Sequence, residues 1–144
     1  MKTLLFLLVL ALAASAAGSA SASGGGSKPT VTVKPSAYGK ILFDGSSRAL
    51  YAFGRDPRGR SVCSGACAKK WPPYVVMGRP KPGPNVKSSL LATTKRADGR
   101  LQVTYGGRPL YYYIGDTVGQ VLCQNVSEFG GRWLVIRANG RLVH

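Results

Sequence analysis

The sequence predicts an all-β fold of two tandem antiparallel β-meander repeats packed with pseudo-twofold symmetry, with one short helical turn near a Cys-x3-Cys motif. Three observations carry this expectation. The 144-residue chain matches itself without gaps when slid by 60 residues. Its β-branched and aromatic residues fall in short runs punctuated by Gly, Pro, Asn and Asp, which is how hairpin strands read. No stretch after the first 27 residues holds an apolar period of about 3.6 over three turns, as an amphipathic helix would.

The elements follow in order. Residues 1–22 read as a cleaved secretory signal: Lys2 opens it, Leu4–Ala14 is apolar throughout, and small A-x-A sites stand at Ala14-Ser15-Ala16 and Ala20-Ser21-Ala22. The apolar run is shorter than the ~20 residues that span a bilayer. Residues 23–28 form a flexible Gly/Ser linker. Residues 29–144 are expected to make one β domain of two copies, at about 29–78 and 88–144. Strands are expected at Thr30–Lys34, Lys40–Asp44 and Arg48–Phe53 in copy one, and at Leu90–Lys95, Arg100–Tyr105 and Arg108–Tyr113 in copy two. Gly45-Ser46-Ser47, Asp98-Gly99 and Gly106-Gly107 turn them, the last pair suiting a primed hairpin turn with two positive φ angles. A short helix over Gly65–Lys70 stops before Pro72-Pro73. The Pro- and Gly-rich stretch 78–85 is an irregular connector. Trp133–Arg137 is a further strand, turned by Asn139-Gly140 into a last one at Arg141–Val143.

The self-match superposes Gly39 on Gly99, Arg48 on Arg108, Leu50 on Leu110, Tyr51 on Tyr111, Asp56 on Asp116, Gly59 on Gly119 and Cys63 on Cys123. After a two-residue slip Trp71 meets Trp133. Two segments therefore share one motif, Tyr-x-aromatic-x-x-Asp: Tyr51, Phe53 and Asp56 in copy one, Tyr111, Tyr113 and Asp116 in copy two. With the Cys63–Pro73 segment between them and Glu128–Trp133 after them, the chain resembles a bacterial secreted-repeat family, often described as lipoproteins with a Yx(FWY)xxD motif. The resemblance covers nearly all of the chain after the signal. It implies tandem copies, export and a place outside the cytoplasm, and no established reaction. Many members carry a lipobox Cys; the cleavage region here has none, so lipidation is not carried over.

The motif also has a local reading. On a strand Tyr51 and Phe53 share one face, as do Tyr111 and Tyr113, and Leu50 and Leu110 point the other way. The Asp is expected to open the turns Asp56–Gly59 and Asp116–Gly119, its carboxylate accepting N–H groups two residues on. The rival is a ligand site built from tyrosine hydroxyls and the two Asp side chains, once per copy.

Three cysteines in an exported chain imply one disulfide and one remaining thiol, or an intermolecular bridge. Cys63 and Cys67 on a helical turn would have Cα atoms about 6 Å apart, within bridging range. A Cys63–Cys123 bridge between equivalent positions is the rival; closing a loop of about 60 residues is worth roughly 4 kcal/mol in the chain-entropy model. A third reading takes Cys63, Cys67, Cys123 and Met77 as a redox centre or a soft Cu(I) site.

Composition bounds the function. There are 20 Lys+Arg, 5 Asp+Glu and one His, for a formal charge of +15, and loss of Lys2 with the signal leaves one charge fewer, +14. The lone His is the terminal His144 and the acids are Asp44, Asp56, Asp98, Asp116 and Glu128, which excludes a multi-His metal site, leaves a His-based triad only a chain end to recruit and provisions paired-acid chemistry thinly; an enzyme using Asp56 and Asp116 with tyrosines is the third and weakest reading. The densest cations are Arg55, Arg58, Arg60, Lys69 and Lys70. Such charge attracts anionic polymers or lipid headgroups, with no motif for specific nucleic-acid binding. The expectation is a non-enzymatic envelope module that binds anionic surface material without cofactor or metal, with a thiol-based redox or Cu(I) protein as the alternative.

Overall fold

The computed structural model describes residues 27, 28 and 30–144. The signal expected at 1–22 and most of the expected linker lie outside the described residues. The strands are β1 (Val31–Ser36), β2 (Gly39–Asp44), β3 (Tyr51–Phe53), β4 (Val75–Val76), β5 (Leu91–Lys95), β6 (Leu101–Tyr105), β7 (Arg108–Tyr111), β8 (Val126–Glu128) and β9 (Gly131–Val135). One helix, α1 (Ala66–Lys70), follows the first cysteine, and a 3-10 turn at Ser88–Leu90 leads into β5.

All strand pairs are antiparallel. The main sheet runs β4-β6-β7-β3-β9-β8 with β5 on β6 and does not close into a barrel, while β1 and β2 form a separate hairpin. That hairpin is tied on through an Ile41–Arg137 bridge and the Leu42 N–H bond to the Ile136 carbonyl, 2.9 Å. The connector carries no strand, but its Pro82 bridges Val31 at the start of β1.

The copies meet where β3 pairs with β7, Tyr51 opposite Tyr111 and Ala52 opposite Leu110. Equivalent bonds recur on either side. Gly54 N–H donates to the Arg132 carbonyl at 2.7 Å and Ile114 N–H to the Lys70 carbonyl at 3.1 Å. Gly59 N–H donates to the Gly107 carbonyl at 2.7 Å and Gly119 N–H to the Ser47 carbonyl at 2.8 Å. These pairs are the pseudo-twofold expected from the self-match.

Both faces of the central sheet are buried, because alternate residues of β3 and β7 point to opposite sides. Tyr51, Phe53, Tyr111 and Trp133 pack on one face with Trp71. Leu50, Ala52, Leu110, Val103, Tyr105 and Ile136 pack on the other.

Several boundaries differ from expectation for local reasons. The strand expected at Arg48–Phe53 begins only at Tyr51. Asp44 Oδ1 takes the N–H groups of Ser46 and Arg48, both at 2.8 Å, so this stretch completes a turn and only Ala49 bridges back to Phe43. The strand expected to reach Tyr113 ends at Tyr111, where the facing chain is Pro72-Pro73. A proline has no N–H to extend the ladder, so the facing chain offers Tyr112 only the Pro72 carbonyl, which takes its N–H at 2.8 Å. The strand expected at Arg141–Val143 is a single bridge, Ile136–Leu142. β4 and β8, of two and three residues, have no counterpart among the expected strands. Gly106 and Gly107 do both take positive φ, 58° and 76°, as their hairpin requires.

Candidate functional site

The two motif copies complete each other. Tyr51 OH donates to Asp116 Oδ2 at 2.6 Å, and Tyr111 OH donates to Asp56 Oδ2 at 2.6 Å. Each tyrosine thus uses the aspartate of the opposite copy. The second carboxylate oxygen accepts an N–H six residues on: Val62 to Asp56 Oδ1 at 2.7 Å, Leu122 to Asp116 Oδ1 at 2.9 Å.

This corrects the turn expected from sequence. Asp56 and Asp116 end a turn rather than open one, their N–H groups bonding the carbonyls of Phe53 (3.0 Å) and Tyr113 (3.1 Å). A second turn follows, closed by Arg60 N–H on Pro57 and Gln120 N–H on Thr117, with Gly59 and Gly119 at φ 74° and 76° in its third position. In each aspartate Oδ2 is taken by the tyrosine of the other copy and Oδ1 by the N–H six residues on, so neither oxygen serves the N–H two residues on.

The surroundings of the two pairs differ. Asp116 is 5 % exposed, whereas Asp56 is half-buried. The Tyr51 and Tyr111 phenols are pushed far above their ordinary range, first by burial and then by the carboxylate that holds the proton. Burial also raises the Asp56 carboxyl, against the opposing pull of Tyr111, the Val62 N–H and Arg96. Ser61 Oγ shares the Tyr111 hydroxyl at 2.6 Å and takes Arg96 Nη1 at 2.9 Å. With Tyr51 and Tyr111 fully buried, these hydroxyls act on the protein itself, closing one copy on the other.

Around the pairs lies an aromatic stack with the same symmetry. Phe53 stacks on Trp133 at 4.2 Å, Trp133 on Trp71 at 4.0 Å, and Trp71 meets Tyr113 tilted at 5.0 Å. Tyr51 and Tyr111 stand edge-on to Trp71 and Trp133 at 5.2 and 5.1 Å. Such contacts add roughly 0.5–1.5 kcal/mol each beyond the area they bury. Glu128 closes one end, accepting the Trp71 indole N–H at 2.9 Å and the Lys70 ammonium. Lys70 first and Trp71 second hold its carboxyl below the ordinary carboxylate range. The pairing of Trp71 with Trp133 in the self-match signalled equivalent positions, though not their contact; nothing in the sequence signalled Glu128 as their partner.

Cys63 and Cys67 are disulfide-bonded with Cα atoms 5.3 Å apart, the local bridge expected from their spacing. The Cys63–Cys123 bridge is not formed. Cys123 is a free, half-buried thiol in copy two, its pKa raised by burial. Met77 is fully exposed. Among the described residues no three His, Cys, Asp or Glu side chains are grouped to hold a metal.

The dense cations do not share one partner. Arg55 Nη1 donates to the Phe129 carbonyl at 3.0 Å, Arg58 Nη1 to the Gly106 carbonyl and Lys70 to Glu128, while Arg60 and Lys69 stand exposed. No helix among the described residues is long and apolar enough to cross a membrane.

No curated protein and no solved structure matches the chain. The family model described as a secreted repeat of unknown function matches it twice, over residues 32–74 and 92–137, two regions whose starts are 60 residues apart and which fall inside the two copies read from the sequence. The chain belongs to this family of secreted repeats of unknown function.

Proposed function

We propose that this secreted repeat is a non-catalytic module of the cell envelope that adheres to anionic surface polymer, released by cleavage of its signal. The observation that carries the reading is how the acids are spent. Asp44 binds the backbone of its own loop and the Tyr112 hydroxyl, Asp56 and Asp116 bind the exchanged tyrosines, and Glu128 binds Trp71 and Lys70. The one exposed acid among the described residues, Asp98, is held by Arg100 at 2.7 Å. The carboxylates that general acid–base or nucleophilic chemistry would need are engaged in holding the fold. Exposed cations run from Lys28 and Lys40 through Arg60, Lys69 and Lys87 to Arg141, and Asp98 is the one exposed acid among them in the described residues. A small rigid body with such a surface draws in polyanions at long range and releases them as salt rises.

The test is an isotherm of the purified mature chain on anionic wall polymer at rising salt. Binding that weakens steeply between low and moderate salt supports the reading. Salt-insensitive binding, or none, refutes it.

A further inference from the structure

We infer that Arg58 and Arg108 form a clamp for a single phosphodiester group at the β6–β7 turn, an inference that rests on the adhesion reading and gives it a specific seat. The argument comes from comparing the two copies at equivalent places. In copy one Arg48 is satisfied: its Nη2 donates to the Tyr113 carbonyl at 3.2 Å and its guanidinium lies 4.5 Å over the Tyr112 ring. Arg108 occupies the equivalent position in copy two, where Ala52 stands in place of Tyr112 and offers no ring. The Arg108 guanidinium makes no hydrogen bond among the described residues, and its Nε is buried without a partner. A buried donor left unpaired is costly and calls for an explanation.

The neighbouring loop differs in the same direction. The 117–120 turn packs beside Ser47 and presents Val118; the 57–60 turn packs beside Gly107 and presents Arg58. Arg58 lies along Gly107, with its Nη1 bonded to the Gly106 carbonyl. Its loop is pinned by Gly59 N–H on the Gly107 carbonyl and by Thr94 Oγ1 on the Gly59 carbonyl. The Arg58 side chain is thereby held against the residue that precedes Arg108, close enough for the two like charges to act on each other, with every acid engaged elsewhere. Burial, and then Arg58, lower the pKa of Arg108, as expected of a cation crowded by a like charge. An oxyanion with several oxygens offsets this crowding through the outer guanidinium nitrogens, since planar guanidinium forks bind phosphate bidentately, and the Nε–H beside them reports the binding. The phosphodiester belongs to a polymer or to a lipid headgroup, and the chemistry at the clamp is the same.

The test uses the full mature chain. In a titration with inorganic phosphate followed by side-chain NMR, the Arg108 Nε–H resonance moves saturably while that of Arg48 stays. A stationary Arg108, or equal unsaturating drift of all arginines, overturns the clamp. Binding is then measured to soluble poly(glycerol phosphate) and to phosphatidylglycerol vesicles. Arg58→Gln and Arg108→Lys weaken it about tenfold, because the fork is lost even where the charge is kept. Lys87→Gln and Arg141→Gln, which also remove exposed charge, change it less than about twofold. Arg58 is exposed, so its variant folds even if the Arg108 variant does not. Loss in either arm supports the clamp and names the source of the phosphodiester; equal loss in all four variants overturns it and leaves the spread-charge reading standing. If wild type binds neither material yet Arg108 answers to phosphate, the adhesion reading fails and the clamp remains.

Discussion

Removing the Tyr51 hydroxyl tests the exchanged pairs directly. Tyr51→Phe deletes the 2.6 Å bond to Asp116 and leaves that carboxylate with the Leu122 N–H alone. A hydrogen bond to a charged group is worth about 1.5–3 kcal/mol. Asp116 is only 5 % exposed, so water is a poor substitute and the loss falls near the upper end, about 3 kcal/mol. Tyr111→Phe strips the same bond from Asp56, which is half-buried, within reach of water and still near Arg96, and also frees Ser61 Oγ, which keeps its bond from Arg96. Its cost falls near about 1.5 kcal/mol. At roughly 4 °C per kcal/mol for a body of this size, the Tm shifts are about 12 and 6 °C. Urea unfolding followed by the fluorescence of Trp71 and Trp133 measures both. The decisive reading is a double-mutant cycle, since coupled pairs deviate from additivity and independent ones do not. Tyr51→Phe with Asp116→Asn should cost well under the sum of the singles, whereas Tyr51→Phe with Asp56→Asn should be additive within about 0.5 kcal/mol. Coupling inside a copy rather than across the copies, or a Tyr111 effect larger than that of Tyr51, would refute the reasoning.

Three further outcomes follow from the same contacts. Because Lys70 and Trp71 hold the Glu128 carboxyl below its ordinary 4.5, that group stabilises the fold above this pH and the contribution fades as pH falls through the folded-state value; the stability gap between wild type and Glu128→Gln should be widest above about pH 5 and close below it, and a gap independent of pH contradicts the pairing. Tyr51, Tyr111 and Tyr112 have phenol pKa values raised above 10, so their stabilising effect is present below pH 10 and lost at higher pH; in an ultraviolet titration they should ionise together with cooperative unfolding, and early, independent ionisation would count against their burial. In the unreduced, denatured chain one thiol should react, that of Cys123, and reduction of Cys63–Cys67 should cost about 2 kcal/mol for so short a loop while the fold persists; three reactive thiols before reduction would exclude the bridge.

What the sequence made legible was whatever repeats or turns locally. The offset of 60 residues located both copies, and Asp98-Gly99, Gly106-Gly107 and Asn139-Gly140 marked hairpins. The Cys63–Cys67 spacing indicated the local bridge. β4 and β8 were illegible because two or three residues carry no period, and Val126-Ser127-Glu128 gains its ladder only by facing Gly131–Trp133. The motif reads as strand plus turn, which places Tyr51 on its strand but has Asp56 opening a turn that it in fact closes, and pairs neither. A sequence offset states which residues are equivalent and is silent on whether a residue meets its neighbour or its neighbour's image. Tyr51 opposite Tyr111 in the ladder settles that, since it places each copy's aspartate beside the other's tyrosine. Arg108 is illegible for a related reason: its superposition on Arg48 implies one role for both, and only the unlike surroundings separate them.

The crossing of the tyrosine–aspartate bonds bears on how the two halves of this chain are free to drift apart. A change at Asp116 is felt by Tyr51 and a change at Asp56 by Tyr111, so a mutation in one half is tested against the other half, and these four positions are bound to stay alike. Where a residue's bonds stay within its own half, no such reciprocity applies. Cys67 is bridged to Cys63 in its own copy, and no cysteine follows Cys123 in the second, so the disulfide has no counterpart there while the exchanged pair keeps every atom in both.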